Sequence, residues 1–237
     1  MNPIVEMISH TPNPELIVAS AARLCYSNPK TIKGLMDNLT EDKINALVTM
    51  LAEAHHSSPF TQIYFTFAIE NVDRAFSHQF ARHSIGISFD QVSQRYVDES
   101  NFKYIIPDAI ANSDMAIEYE FFMQNIAGFY KKLLDAGFKK EDARSVLPNA
   151  CETKLIATIN AQELFHIFNL RCCLRAQKMF RDVANEMLRQ CKEVSPLIFK
   201  NAGASCDTLG YCPEGKHSCG RKPTLAKILE VYNGQNS

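Results

Sequence analysis

A chain of 237 residues, 46% hydrophobic and 22% charged, is long and apolar enough to bury a core as one large domain or two small ones, which excludes a disordered or fibrous polymer. Its net charge of −1 excludes a global positive field for nucleic acid or an anionic membrane, so any anion must be met by a local basic cluster. No stretch approaches the ~18 consecutive apolar residues of a membrane span, and MNPIVEMISH lacks the basic start and apolar run of a signal peptide. A cytoplasmic protein is expected, with no nucleic-acid or membrane partner. Its cysteines are expected to be reduced: Cys25, Cys151, Cys172, Cys173 and Cys191 lie in segments that read as helical and apolar, where a thiol serves as a small hydrophobe.

Residues 3–8 form a short apolar run that suits a strand. Helical spacing of Leu16, Ile17, Ala21 and Leu24 predicts a helix from Pro14 to Cys25. Thr40 is the expected N-cap of the next helix, with Glu41 and Asp42 in its first turn, the stripe Ile44, Leu47, Val48, Leu51, and an end near His55. From Phe60 to Glu70 the period changes to two. Ile63, Phe65, Phe67 and Ile69 share one face and Thr66 and Glu70 the other, the clearest strand in the chain. Residues 73–83 read as helix, and 85–97 as a loop leading into a strand. Met115 to Ala136 is a long helix with Ile117, Phe121, Phe122, Ile126, Phe129, Leu133 and Leu134 as its apolar stripe and Gly137 at C′. A helix over 142–147 is cut by Pro148. Residues 161 to about 193 are helical with room for one break, and Pro196 stops them. The mixed order of elements predicts an α+β fold, a central mostly antiparallel sheet with long packed helices. Residues 1–201 are its domain, and 202–237, rich in Gly, Cys, Pro and Lys, are a tail.

Two polar clusters carry the chemistry. In the first, Gln79, Arg82 and His83 stand at i, i+3 and i+4 on the expected helix, followed by Ser84. Ser93 and Arg95 share a face if their segment is extended. Two guanidiniums, a hydroxyl, an amide and an imidazole suit a phosphate and the polar edge of a base, although surface polar residues on an ordinary helix and loop would show the same pattern. In the second, Gln162, His166 and Asn169 form a polar stripe on an otherwise apolar helix, and Arg144 precedes them. Such a stripe needs partners, which ordinary neighbouring backbone can also supply.

Together these stretches resemble the flavin-dependent thymidylate synthase (ThyX) family. Arg82-His83-Ser84, eight residues, then Ser93-Gln94-Arg95-Tyr96 is similar to its signature of Arg-His-Arg, seven or eight residues, and Ser-x-Arg-Tyr. Ala21-Ala22-Arg23-Leu24-Cys25-Tyr26, Ser57-Ser58-Pro59-Phe60, Asp142-Ala143-Arg144 with Leu147-Pro148, Thr158 with Asn160-Ala161, and Leu170-Arg171 with Ala176-Gln177 match in order and spacing. The resemblance covers roughly residues 15 to 220. It implies reductive methylation of dUMP to dTMP, with methylenetetrahydrofolate as carbon donor, FAD as hydride carrier and NADPH as reductant, and with no cysteine nucleophile. It further implies that Gln79, Arg82, Ser93, Gln94, Arg95, Arg144 and Arg171 hold dUMP, Arg171 beside the uracil favouring ionisation at N3. Ser58, Arg82, His83, Ser84, Gln91, Asn160, Gln162 and His166 would line the FAD site. The family's sites are shared between subunits of a homotetramer.

The departures fall on the flavin side. Ser84 and Gln162 replace two arginines of the family pattern, Thr61-Gln62 stands where Glu-His is usual, and Lys178-Met179-Phe180 replaces Trp-Glu-Ile. Losing two charge-assisted phosphate contacts with nothing in their place would cost roughly 3–6 kcal/mol of cofactor affinity. The alternative is therefore a divergent relative that binds a pyrimidine nucleotide with altered or lost FAD use. In the tail, Cys206, Cys212 and Cys219 with His217 have zinc-ligand chemistry but no paired C-x-x-C clip, so an exposed reduced tail without metal is expected.

Overall fold

The computed structural model describes residues 2–54 and 56–234. In chain order the elements are β1 (Ile4–His10), α1 (Pro14–Leu24), α2 (Ile32–Asp37), α3 (Glu41–Glu53), a 3-10 turn (Ser58–Gln62), β2 (Tyr64–Asp73), α4 (Arg74–Phe80), β3 (Ile87–Gln91), α5 (Asp108–Ala111), α6 (Ala116–Asp135), α7 (Lys140–Ala143), β4 (Glu152–Asn160), α8 (Ala161–Arg171), α9 (Lys178–Val194), α10 (Pro196–Phe199), α11 (Ser205–Leu209) and α12 (Leu225–Gly234). The strands form one open antiparallel sheet in the order β1-β2-β4-β3, so the expected α+β fold is the fold observed. Among the described residues no helix is long and apolar enough to cross a membrane.

The chain divides into two compact units. Unit 1 comprises residues 1–4, 68–84 and 89–157; unit 2 comprises 5–67, 85–88 and 158–237, the tail included. Unit 1 centres on Phe102, Met123 and Cys151, with Tyr104, Tyr119 and Ile126 packed around them. Phe76, Phe80 and Phe89 add a ring cluster, with Phe80 at 5.5 and 5.6 Å from the other two. In unit 2 Phe199 is the hub. Its ring lies 5.4 Å from Phe65, 5.2 Å from Phe165 and 6.0 Å from Phe168. The strand register follows the sequence: Ile63, Phe65, Phe67 and Ile69 are all fully buried, while Tyr64 and Glu70 are exposed.

The departures from expectation are local. Thr40 occupies its cap position but makes no side-chain cap bond, whereas Thr31 Oγ1 accepts Gly34 N at 3.0 Å and caps the unexpected α2. The third helix ends at Glu53, and His55, where its end was expected, lies outside the described residues. β4 was hidden in a segment read for its motif alone, although Thr153, Leu155, Ala157 and Ile159 alternate and are buried. The stripe expected to bury α6 does so only in part, with Ile126, Leu133 and Leu134 half-buried. Ile117, Phe121, Phe122 and Phe129 are exposed, and the same helix buries Met123 and Tyr130 instead. Apolar residues surround α6, so periodicity could not choose the inner face. Of the five cysteines read as helical core, Cys25 is exposed at the end of α1 and Cys151 opens into β4; Cys191 alone sits inside a long helix.

Candidate functional site

Unit 1 carries the first cluster. β2 passes directly into α4 because Asp73 caps it, its Oδ1 accepting Phe76 N at 2.6 Å. Burial raises the Asp73 carboxyl above its ordinary range, partly offset by that bond. The helix ends at Phe80, three residues sooner than expected. Arg82 N then donates to Gln79 O at 3.3 Å and His83 N to Phe80 O at 3.0 Å, the i→i−3 spacing of a tightened last turn. The tightening undoes the expected common face: Gln79 is half-buried, Arg82 and Ser84 are exposed, and His83 is buried.

The stretch 85–97, read as a loop leading into a strand, has the opposite order: β3 comes first and a turn follows it. Ser93 Oγ accepts Arg95 N at 3.3 Å, and Ser93 O accepts both Tyr96 N and Val97 N. A serine that bonds the backbone two residues on favours a turn over a strand. Arg95 is exposed, donates from Nε to Glu141 at 2.8 Å, and lies 5.7 Å from the Tyr96 ring centre. Gln94 is buried and hydrogen-bonds the Cys151 thiol, which leaves its main chain as the part able to meet a ligand. Burial pushes that thiol up to about 12, so it stays protonated and is no nucleophile at neutral pH. Gln91 Nε2 donates to Thr153 Oγ1 at 3.0 Å. Arg144 is exposed in the 3-10 turn Arg144–Val146. Sequence reasoning missed Arg74. Its Nη1 donates to Val92 O at 3.1 Å, anchoring the loop that carries Ser93, Gln94 and Arg95, and burial lowers its guanidinium from the ordinary range. The sequence held only part of the signal, a cation directly after a capping aspartate; the nearness of Glu99 shows in the structure alone.

Unit 2 carries the second cluster on β4, α8 and the turn Ser58–Gln62. Asn160 is buried and caps α8, Oδ1 accepting Glu163 N at 2.8 Å. Its N–H donates to Gly86 O at 2.8 Å. Gly86 has φ +74, and a Cβ there would meet Asn160 Nδ2 at 2.2 Å, so only glycine fits this close approach. Ser58, Gln162 and His166 are exposed, and Gln162 Nε2 donates to Ser57 Oγ at 3.2 Å. Gln162 and Asn169 lie on the wall of a cavity of about 380 Å³ whose apolar side includes Leu51, Phe60 and Phe165. Arg171 closes α8 half-buried, its guanidinium 4.5 Å over the Phe180 ring. The two clusters are thus divided: Gln79, Arg82, His83, Ser84, Gln91, Ser93, Gln94, Arg95 and Arg144 in unit 1, and Ser58, Asn160, Gln162, His166 and Arg171 in unit 2.

Residues 6–197 match the family model described as thymidylate synthase complementing protein. A flavin-dependent thymidylate synthase from Clostridium tetani is 44% identical over 94% of this chain and 96% of its own length. The chain belongs to the flavin-dependent thymidylate synthase family. Other members with that name come from Nitratidesulfovibrio vulgaris, 43% identical over 93% of this chain and 96% of their own, and Geobacter sulfurreducens, 43% over 95% and 97%. Several of the residues that carry the resemblance, among them Ser93, Arg144 and Asn160, occupy the caps and turns just described. Ser84 and Gln162, where this chain departs from the family pattern, are both exposed.

Proposed function

We propose that the protein methylates dUMP to dTMP as a flavin-dependent thymidylate synthase. The observation that carries this is the name shared by relatives 43–44% identical over at least 93% of the chain. A divergent relative without flavin use is not favoured, because those same relatives are named for flavin dependence.

The first cluster's chemistry suits a nucleotide monophosphate. Arg95 and Arg144 are exposed cations able to pair with phosphate oxygens, and the turn at Ser93 adds a hydroxyl and the Gln94 main-chain amide. The Arg95–Glu141 pair is half-exposed, and such pairs are worth only about 0–1 kcal/mol, so a doubly charged phosphate displaces the carboxylate cheaply. Gln79 and Arg82 complete the proposed dUMP set. Arg171, proposed as the catalytic cation, would stand by the uracil and hold N3 in its anionic form; its seat against Phe180 fixes the guanidinium's direction.

The remaining donors fit a flavin dinucleotide. Ser58, Ser84, Gln162 and His166 are exposed hydroxyl, amide and imidazole groups, and Arg82 supplies the one cation of the set. His83, Gln91 and Asn160 would support them. FAD supplies the hydride chemistry when bound; the protein orients it, excludes water and holds the nucleotide. Methylenetetrahydrofolate as carbon donor and NADPH as reductant belong to the same proposal, as do a homotetramer with sites completed by other subunits and a cytoplasmic location. The uncovered α6 face with Ile117, Phe121, Phe122 and Phe129 supports assembly of copies, because monomers rarely leave so many apolar side chains in water.

Titrating FAD into the purified protein, with and without dUMP, and following flavin fluorescence tests the cofactor assignment. Saturable quenching that tightens with dUMP is expected. Binding of dUMP with no flavin binding at all would remove the flavin from the proposal.

A further inference from the structure

Cys206, Cys212 and Cys219 have no part in the proposed reaction, and two of them are not on an exposed tail. Cys206 and Cys212 are buried, and Ala202 and Ala204 beside them are buried too. The segment is pinned in place. Ser205 Oγ donates to Asn169 O at 3.1 Å, Cys212 N to Pro223 O at 2.8 Å, and Arg221 Nη2 to Asp207 Oδ2 at 2.6 Å, while Arg175 pairs with Glu214. This packing brings all three thiols to the wall of one cavity of about 260 Å³, and the turn after α8 adds a fourth, Cys173. Cys206 lies within electrostatic reach of both Cys173 and Cys212. The clip missing from the sequence spacing is thus replaced by tertiary structure.

Apolar core thiols would be walled by apolar groups. This cavity is instead also lined by the charged pair Arg175–Glu214 and by Arg171, Arg221 and Lys222; burial and Asp207 still hold the Cys206 thiol above its ordinary range, with Arg221 offsetting them only in part, so a bound cation is what would draw off its proton. Four cysteines are the ligand count of a closed tetrahedral zinc site, and all eight cysteines of the chain are free thiols. Glycines at positive φ punctuate the segment: Gly210 at +77, Gly215 at +53, and Gly220, directly after Cys219, at +83. Such positions let a chain turn tightly about a ligating sulfur with its amides directed inward. The sulfurs are spread around the walls, and no three of the described thiols stand within 4.8 Å of one another. An ion would draw them together, with the exposed Cys219 as the least packed of the four.

We propose that this cavity is a thiolate site for a divalent ion of the zinc class, ligated by Cys173, Cys206, Cys212 and Cys219. Binding releases the thiol protons to solvent and ties the C-terminal segment to the end of α8, where Arg171 lines the same cavity. The test uses the full chain, expressed with zinc and dialysed into metal-free buffer. Elemental analysis should find about one zinc per chain. Cobalt added to demetallated protein should give an intense sulfur-to-metal charge-transfer band and tetrahedral visible bands. Cys206→Ser and Cys212→Ser should each weaken cobalt binding at least ~10-fold, and Cys25→Ser, outside the cavity, should not. Wild-type protein with no zinc and no charge-transfer band overturns the proposal, and because it is measured without any variant it does not depend on how the variants fold. Equal cobalt binding by all the variants, an adventitious ion only, overturns it too.

Discussion

Asp73 shows how a single residue links the chain's local code to its site. It caps α4 and is buried, and its carboxyl is raised above the ordinary 3.8 chiefly because burial disfavours charge. Protons are therefore bound more tightly in the folded state, so the contribution of Asp73 to stability falls as pH rises through the window just above 3.8. Asp73→Asn keeps an acceptor for Phe76 N and should flatten that slope without loss at neutral pH. Asp73→Ala loses the cap and should cost about 1 kcal/mol. Urea melts of the three proteins across acidic pH measure both effects; an unchanged slope in Asp73→Asn would count against the burial argument. At this scale the sequence was partly legible. Residue types and spacings put Ser93, Arg95 and Asn160 among the polar candidates, but did not show that Gln94 turns inward to Cys151 or that Arg74 holds the Val92 carbonyl. Those depend on neighbours distant in sequence.

Elements were legible where one period dominated. β2, α1 and α9 followed their apolar spacing, whereas β4 was hidden behind a motif and α6 had apolar residues on every side. The shared face of Ser93 and Arg95 held only for an extended segment, and nothing in Ser-Gln-Arg-Tyr announces that Ser93 Oγ will accept Arg95 N and turn the chain. Arg74 sets that loop's start, and its role is positioning. Arg74→Ala should raise the KM for dUMP several-fold more than it lowers kcat, since the loop would lose its anchor while the ligand-facing groups remain. Arg74→Lys should recover part of the loss, as one donor can still reach Val92 O. A variant that lowered kcat with KM unchanged would place Arg74 in the chemistry instead.

For the whole molecule, the α+β class was legible in the pattern, but the strand order and the allotment of site residues to two units were not, because β4 was hidden, no linker marks a boundary and both units take pieces from several parts of the chain. The exposed face of α6 is the feature that a single chain leaves unexplained. Phe121→Glu with Phe122→Glu should lower the mass measured by light scattering to that of smaller species, and activity should fall with it if sites are completed by other subunits. Unchanged mass would remove α6 from the interface. The central claim is tested most directly by chromatography of the nucleotide after the protein is incubated with dUMP, methylenetetrahydrofolate, FAD and NADPH. The prediction is turnover to dTMP by the wild type and at least ~100-fold less by Arg171→Ala. Flavin-loaded protein that binds dUMP yet forms no dTMP would contradict it.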